Sequence, residues 1–168
     1  MEMSPNPFAA LTLIVAPAIL TNACTVLALG TGNRLARTVD RARALTDALE
    51  KRDQSPASPL AAAMSRELSL VERRMFVLIR AMRFFYIGVG SFASAALISL
   101  IGAVAASELT ATAVKILEIT AVLIGAIAVG ALVSGAFLLA RETRLAVAGM
   151  QENVKQAQFK FARQSKEQ

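Results

Sequence analysis

The side chains with the most chemistry to offer are Thr21, Asn22, Cys24 and Thr25, and they sit inside an oily stretch, LIVAPAILTNACTVLALG, from Leu13 to Gly30. A Cys after a small residue can mark an acylated lipoprotein signal. Such signals open on a positively charged segment. Here residues 1–7 carry only Glu2, and the apolar run continues past Cys24 through Leu29 into basic sequence. That is how an uncleaved membrane span ends. The single Cys excludes a disulfide within the chain, and in a span it is expected to behave as a small buried hydrophobe. Pro17 lacks an N–H and leaves the Leu13 carbonyl without its helical donor. Thr21 and Thr25 align at i, i+4, and Asn22 reaches Thr25 at i, i+3. An amide in hydrocarbon is costly without a partner. Two outcomes fit. One is polar glue between helices, worth ~1 kcal/mol or less per bond. The other is a symmetric pore lined by copies of Pro17, Thr21, Asn22, Thr25 and Leu29 and wetted at its narrow part.

Enzyme chemistry finds little here. The chain has no His for general base work, and one Cys. It has no Cys pair or His–carboxylate set for a transition metal. The Gly88-Val89-Gly90 stretch lies within an apolar run and lacks the strand–turn–helix setting of a phosphate loop. Catalysis by Ser with Lys, or by paired acids, would need charge inside a span. The expectation is no enzyme, no catalytic residue, no metal and no cofactor.

The elements that position the polar cluster follow from composition. The chain has 168 residues, 55% hydrophobic. Residues 8–30, 84–107 and 119–140 carry no charge. Each run meets or exceeds the ~20 residues needed to cross ~30 Å of hydrocarbon. The fold class expected is all-α, a polytopic membrane protein in one membrane domain over 1–168, with three transmembrane helices at about 8–30, 84–107 and 116–140. Between Arg34 and Arg83 lie eleven basic residues, and after residue 140 another six, out of eighteen in all; only Lys115 remains. Retention of Lys and Arg on the cytoplasmic side then puts the N-terminus outside and the C-terminus inside. The net charge of +6 is explained by orientation and by anionic lipid on the cytoplasmic side, so no nucleic-acid partner is expected.

Gly30 and Gly32 invite a break, yet helical spacing resumes at Asn33. Leu35, Thr38, Ala42, Leu45 and Leu49 step 3,4,3,4, the seam of a coiled coil. Residues 53–59, DQSPASP, are a breaker. Met64, Leu68, Val71, Met75 and Leu78 then step 4,3,4,3 and lead into the second span. Residues 33–83 therefore predict an antiparallel, coiled-coil-like cytoplasmic stalk. Residues 107–115 form the outer loop, with Thr110 or Thr112 capping the third span. A cytoplasmic helix over about 141–163 follows, its seam running through Val147, Met150, Val154, Ala157 and Phe161 and packing on the stalk.

Small residues make two stripes: Ser91, Ala95, Ser99 and Gly102 in the second span, and Ala126, Gly130 and Ser134 in the third. Such stripes let helices approach closely in lipid, within one chain or between subunits. Gly88, Gly90 and Ser91 also allow a bend. Glu108 and Glu118 at the outer boundary would concentrate cations in a ring, or Glu118 pairs locally with Lys115. Arg34, Arg37 and Arg41 share one basic face at the inner end, available for lipid, for a vestibule or for topology alone. Asp40 is spaced to pair with Arg37 or Arg43.

The segment PFAALTLIVAPAILTNACTVLALGTGNRLARTVDRAR, residues 7–43, resembles a bacterial family of small three-span membrane proteins of unknown function. The resemblance extends over residues 84–144 to LLARETRLA, and the Asn-Arg-Leu-Ala-Arg exit is its most specific part. It implies a bacterial inner-membrane protein and supplies no binding or catalytic residues. The function expected from the residues is a homo-oligomeric ion channel with the first span lining the pore. The alternative is a non-conducting scaffold or regulatory subunit that docks a partner through its cytoplasmic helices.

Overall fold

The computed structural model is all-α and describes residues 7–51, 59–105 and 109–164, with side chains at 15–51, 61–105 and 109–147. It contains α1 (Pro7–Glu50), α2 (Pro59–Ala105) and α3 (Ala111–Gln164), of 44, 47 and 54 residues. All three are long and apolar enough to cross a membrane, and this is a membrane protein. α1 and α2 each run unbroken from an apolar span into charged sequence, as their spacing predicts, and the departure from expectation is the continuity of α3. Gly30, Gly32 and the Gly88–Ser91 stretch do not interrupt α1 or α2, and no break at residue 140 separates a third span from a cytoplasmic helix. A helix that enters another stretch of 3.6-periodic sequence has no reason to stop at a polarity boundary. Lys115 lies in α3 and not in a loop. Thr110 caps that helix: the Ala113 amide donates to its Oγ1 at 3.4 Å.

The chain divides into two compact units. The first comprises Met1–Gly32 and Arg80–Ala136. Its buried residues are Cys24, Ala28 and Thr31 on α1, Ala81, Phe85, Gly88, Phe92 and Ala95 on α2, and Ala128, Ala131 and Gly135 on α3. These step by threes and fours on every helix, which keeps one narrow stripe of each turned inward. The stripes are mostly small, so backbones come close. A Cβ on Gly135 would sit 2.6 Å from Cε1 of Phe85, and one on Gly88 would sit 3.1 Å from the Cys24 Sγ. Phe85 fills the room that Gly135 leaves, and Cys24 packs as the small hydrophobe its setting requires.

The second unit comprises Asn33–Ile79 and Phe137–Gln168. Thr38 and Leu45 on α1 are buried, as are Val71 and Leu78 on α2, with Leu35, Ala42, Leu49, Met64, Leu68 and Met75 half-buried between or beside them. Both seams read from the sequence are therefore the inward faces. The third seam fares differently: Val147 is exposed, and Met150, Val154, Ala157 and Phe161 lie outside the residues whose side chains are described, as does the breaker's interior.

Candidate functional site

In the first unit α1 carries the polar cluster. Pro17 lies inside the helix, which stays unbroken. The Thr21 hydroxyl donates to the Pro17 carbonyl at 2.8 Å and that of Thr25 to the Thr21 carbonyl at 2.9 Å. Each threonine thus satisfies its own proton within the helix. Asn22 has no such recourse. It is exposed and makes no side-chain hydrogen bond to any described residue. Its position explains this: Asn22 is two residues before buried Cys24, ~200° round the helix at ~100° per residue.

The five residues expected to line a path therefore divide. Asn22, Thr25 and Leu29 are on the exposed side of α1, with Val15, Ile19 and Val26, while Pro17 and Thr21 are half-buried and turn toward the chain's own seam. The divide follows from helix geometry, since Pro17 and Thr21 precede Cys24 and Ala28 by seven residues.

The small-residue stripes divide in the same way. On α2, Ala95 is buried and Ser91, Ser99 and Gly102 are half-buried, with Gly102 facing Leu117 of α3. On α3, Ala126 and Gly130 are exposed, nothing approaches Gly130, and Ser134 donates to the Gly130 carbonyl. Packing of α3 within the chain runs instead through Ala128, Ala131 and Gly135, because a 3,4 step keeps to one stripe where a pure step of four drifts away. Glu118 and Lys115 are both exposed on α3 and form no ion pair with each other. Glu108 lies outside the described residues.

The second unit holds a charged centre that the sequence reading missed. Glu142 on α3 is buried, 2% exposed. Arg74 on α2 donates to its Oε1 from Nε at 3.1 Å and from Nη2 at 2.7 Å. Arg34 on α1 approaches its Oε2 and the Thr143 hydroxyl, each at 3.4 Å. One carboxylate thus joins three helices, and both its oxygens are occupied. A buried charge is tolerable only when paired and hydrogen-bonded in this way. Arg41 is held by Glu67 at 2.6 Å near the surface, and Arg37 bonds its own helix at the Asn33 carbonyl. The basic face expected at Arg34, Arg37 and Arg41 is therefore two-thirds neutralised by acids from other helices. Asp40 pairs with neither Arg37 nor Arg43. Two signals could have found the centre. Glu142 is seven residues after Gly135, and Arg74 seven before Ala81, so both fall in step with inward rows.

Among the described residues no group of His, Cys, Asp or Glu is arranged to hold a metal ion. The family model described as "Protein of unknown function (DUF2721)" matches residues 14–152 of the chain. No curated protein and no solved structure matches it.

Proposed function

The chain belongs to the DUF2721 family, whose function is unknown, and from that premise we propose that copies of it assemble into an ion channel of the bacterial inner membrane, with α1 lining the path. One observation carries this: the Asn22 amide, unpartnered, on the side of a membrane-length helix turned away from the chain's own core. Leaving such a group among acyl chains costs several kcal/mol. A second copy of α1, or water held between copies, removes that cost. Thr25 adds a hydroxyl oxygen to the same side, and Leu29 adds an apolar ring able to gate by dewetting. Rotational symmetry builds a central path from one short chain, whereas three helices alone lack the second half that alternating access requires. Ala126 and Gly130, open on α3, support close packing between copies.

The charge asymmetry supports an outside N-terminus and a cytoplasmic C-terminus. The second unit is then cytoplasmic, and the 3,4 spacing of its buried residues supports a coiled-coil-like stalk. Glu118 at the outer end favours cations. At the inner end, pairing of Arg34 and Arg41 with carboxylates leaves Arg37 as the one guanidinium of that face without an acid, which weakens the opposing field.

A non-conducting scaffold or regulatory subunit is the second reading. It is favoured by the Arg34–Glu142–Arg74 centre, which fixes three helices into a stiff surface suited to a docked partner. Purified protein in liposomes separates the two. Ion flux that Asn22→Leu changes severalfold supports the channel, and no flux from an assembled oligomer supports the scaffold.

A further inference from the structure

We propose that Arg80 and Arg83 on α2 form a binding site for the phosphate of an anionic phospholipid headgroup. The inference is independent of conduction. Both side chains are exposed. They are three residues apart on one helix face, which sets their Cβ atoms ~5–6 Å apart, and Arg83 stands ~200° from buried Phe85, directly away from the core. Neither makes a hydrogen bond or ion pair with any described residue. Arg34, Arg41 and Arg74, by contrast, are each bound by a carboxylate. Within the first unit the one acid among the described residues is Glu118, near the end where Gly102 meets Leu117, far along the helices from Arg83. Neither guanidinium is held by a described acid.

The surroundings specify the ligand. Directly after Arg83 begins the charge-free run 84–107, so the pair stands at one edge of the hydrocarbon. Tyr86 and Ile87, three and four residues on from Arg83, are 60% and 48% exposed on the outer side. An aromatic with a polar tip at this level is a headgroup-depth anchor. The aliphatic stems of the arginines lie along the apolar helix surface while their heads stay at the boundary. Two guanidinium forks there match a phosphodiester, each offering paired N–H donors to its oxygens, and the surplus positive charge selects a headgroup with net negative charge.

A role in orientation alone needs positive charge but no particular geometry, and this separates the two explanations. Native mass spectrometry of the purified full chain, with phosphatidylglycerol or phosphatidylcholine added to the micelle, reads the site directly. Phosphatidylglycerol adducts should outnumber phosphatidylcholine adducts. Arg80→Gln with Arg83→Gln should weaken phosphatidylglycerol retention about tenfold. Arg80→Lys with Arg83→Lys, which keeps charge and orientation and so guards against misinsertion, should lose several-fold. Arg43→Gln with Lys51→Gln should leave retention unchanged. Equal retention by the Gln and Lys variants and the natural protein, no preference over phosphatidylcholine, or displacement of the lipid by millimolar inorganic phosphate would each overturn the proposal.

Discussion

Arg74 donates two hydrogen bonds, of 3.1 and 2.7 Å, to a single oxygen of Glu142, which is 2% exposed, while Arg74 itself keeps about a third of its side chain in contact with solvent. The pair is thus asymmetric: the acid cannot escape to water and the base can. Removing the base should hurt more than removing the acid. Arg74→Ala strands a buried carboxylate with only the longer Arg34 contact, and should destabilise by about 3 kcal/mol, the low end for a broken buried pair. Glu142→Ala frees two arginines that can turn outward, and should cost about 1 kcal/mol. Thermal unfolding of the two variants in detergent gives the order. Arg41→Ala, which breaks the exposed pair with Glu67, should cost less than about 1 kcal/mol.

Gly135 and Phe85 make the second test of packing. A methyl on Gly135 has no room beside the ring, so Gly135→Ala should destabilise by about 1–3 kcal/mol through overpacking. Phe85→Leu should relieve the clash, and the double variant should be more stable than the sum of the two single losses implies. Gly130→Ala, with open space around it, should leave a monomer's stability unchanged and weaken association if that face packs against another copy.

Much of this arrangement was legible in the residues. Charge-free runs long enough to cross a bilayer located the apolar parts of all three helices, and the steps through Thr38 and Leu45 and through Val71 and Leu78 located the inward faces of the charged parts. What escaped was the buried charged centre, and with it the continuity of α3 past residue 140. Charged residues are expected on surfaces, because outside such centres Arg and Glu belong on solvated faces. Glu142 and Arg74 break that rule by satisfying each other, and pairing between residues 68 apart leaves no mark on local periodicity. On α3 small residues four apart marked Ala126, Gly130 and Ser134 for close packing within the chain or between subunits, while the row turned inward is Ala128, Ala131 and Gly135. Only the partner helix, through Phe85, decides between stripes of similar composition. For the polar cluster, types and spacing marked Asn22 as anomalous, but which of its neighbours share its direction depends on where Cys24 points.

Ion selectivity gives a further test. Glu118 is exposed on α3 without an ion pair. In a conducting assembly, Glu118→Gln should lower the cation-to-anion permeability ratio, measured as a shift of reversal potential across a salt gradient, and the shift should shrink at high ionic strength.

Thr25→Val tests the polar side of α1 more gently. The hydroxyl proton is already used within the helix, so this variant removes only acceptor oxygen. It should reduce flux less than Asn22→Leu does, and it should leave oligomer assembly unchanged on a gel or in mass photometry.

The central claim is that the Asn22 side of α1 meets other copies of the chain. With the native thiol removed by Cys24→Ala, single cysteines introduced by Asn22→Cys and, for comparison, by Ala28→Cys on the buried side can be oxidised in native membranes. Disulfide-linked dimers formed by Asn22→Cys and absent for Ala28→Cys are the predicted result. An Asn22→Cys protein that stays monomeric, with its thiol open to a lipid-soluble maleimide, would contradict it.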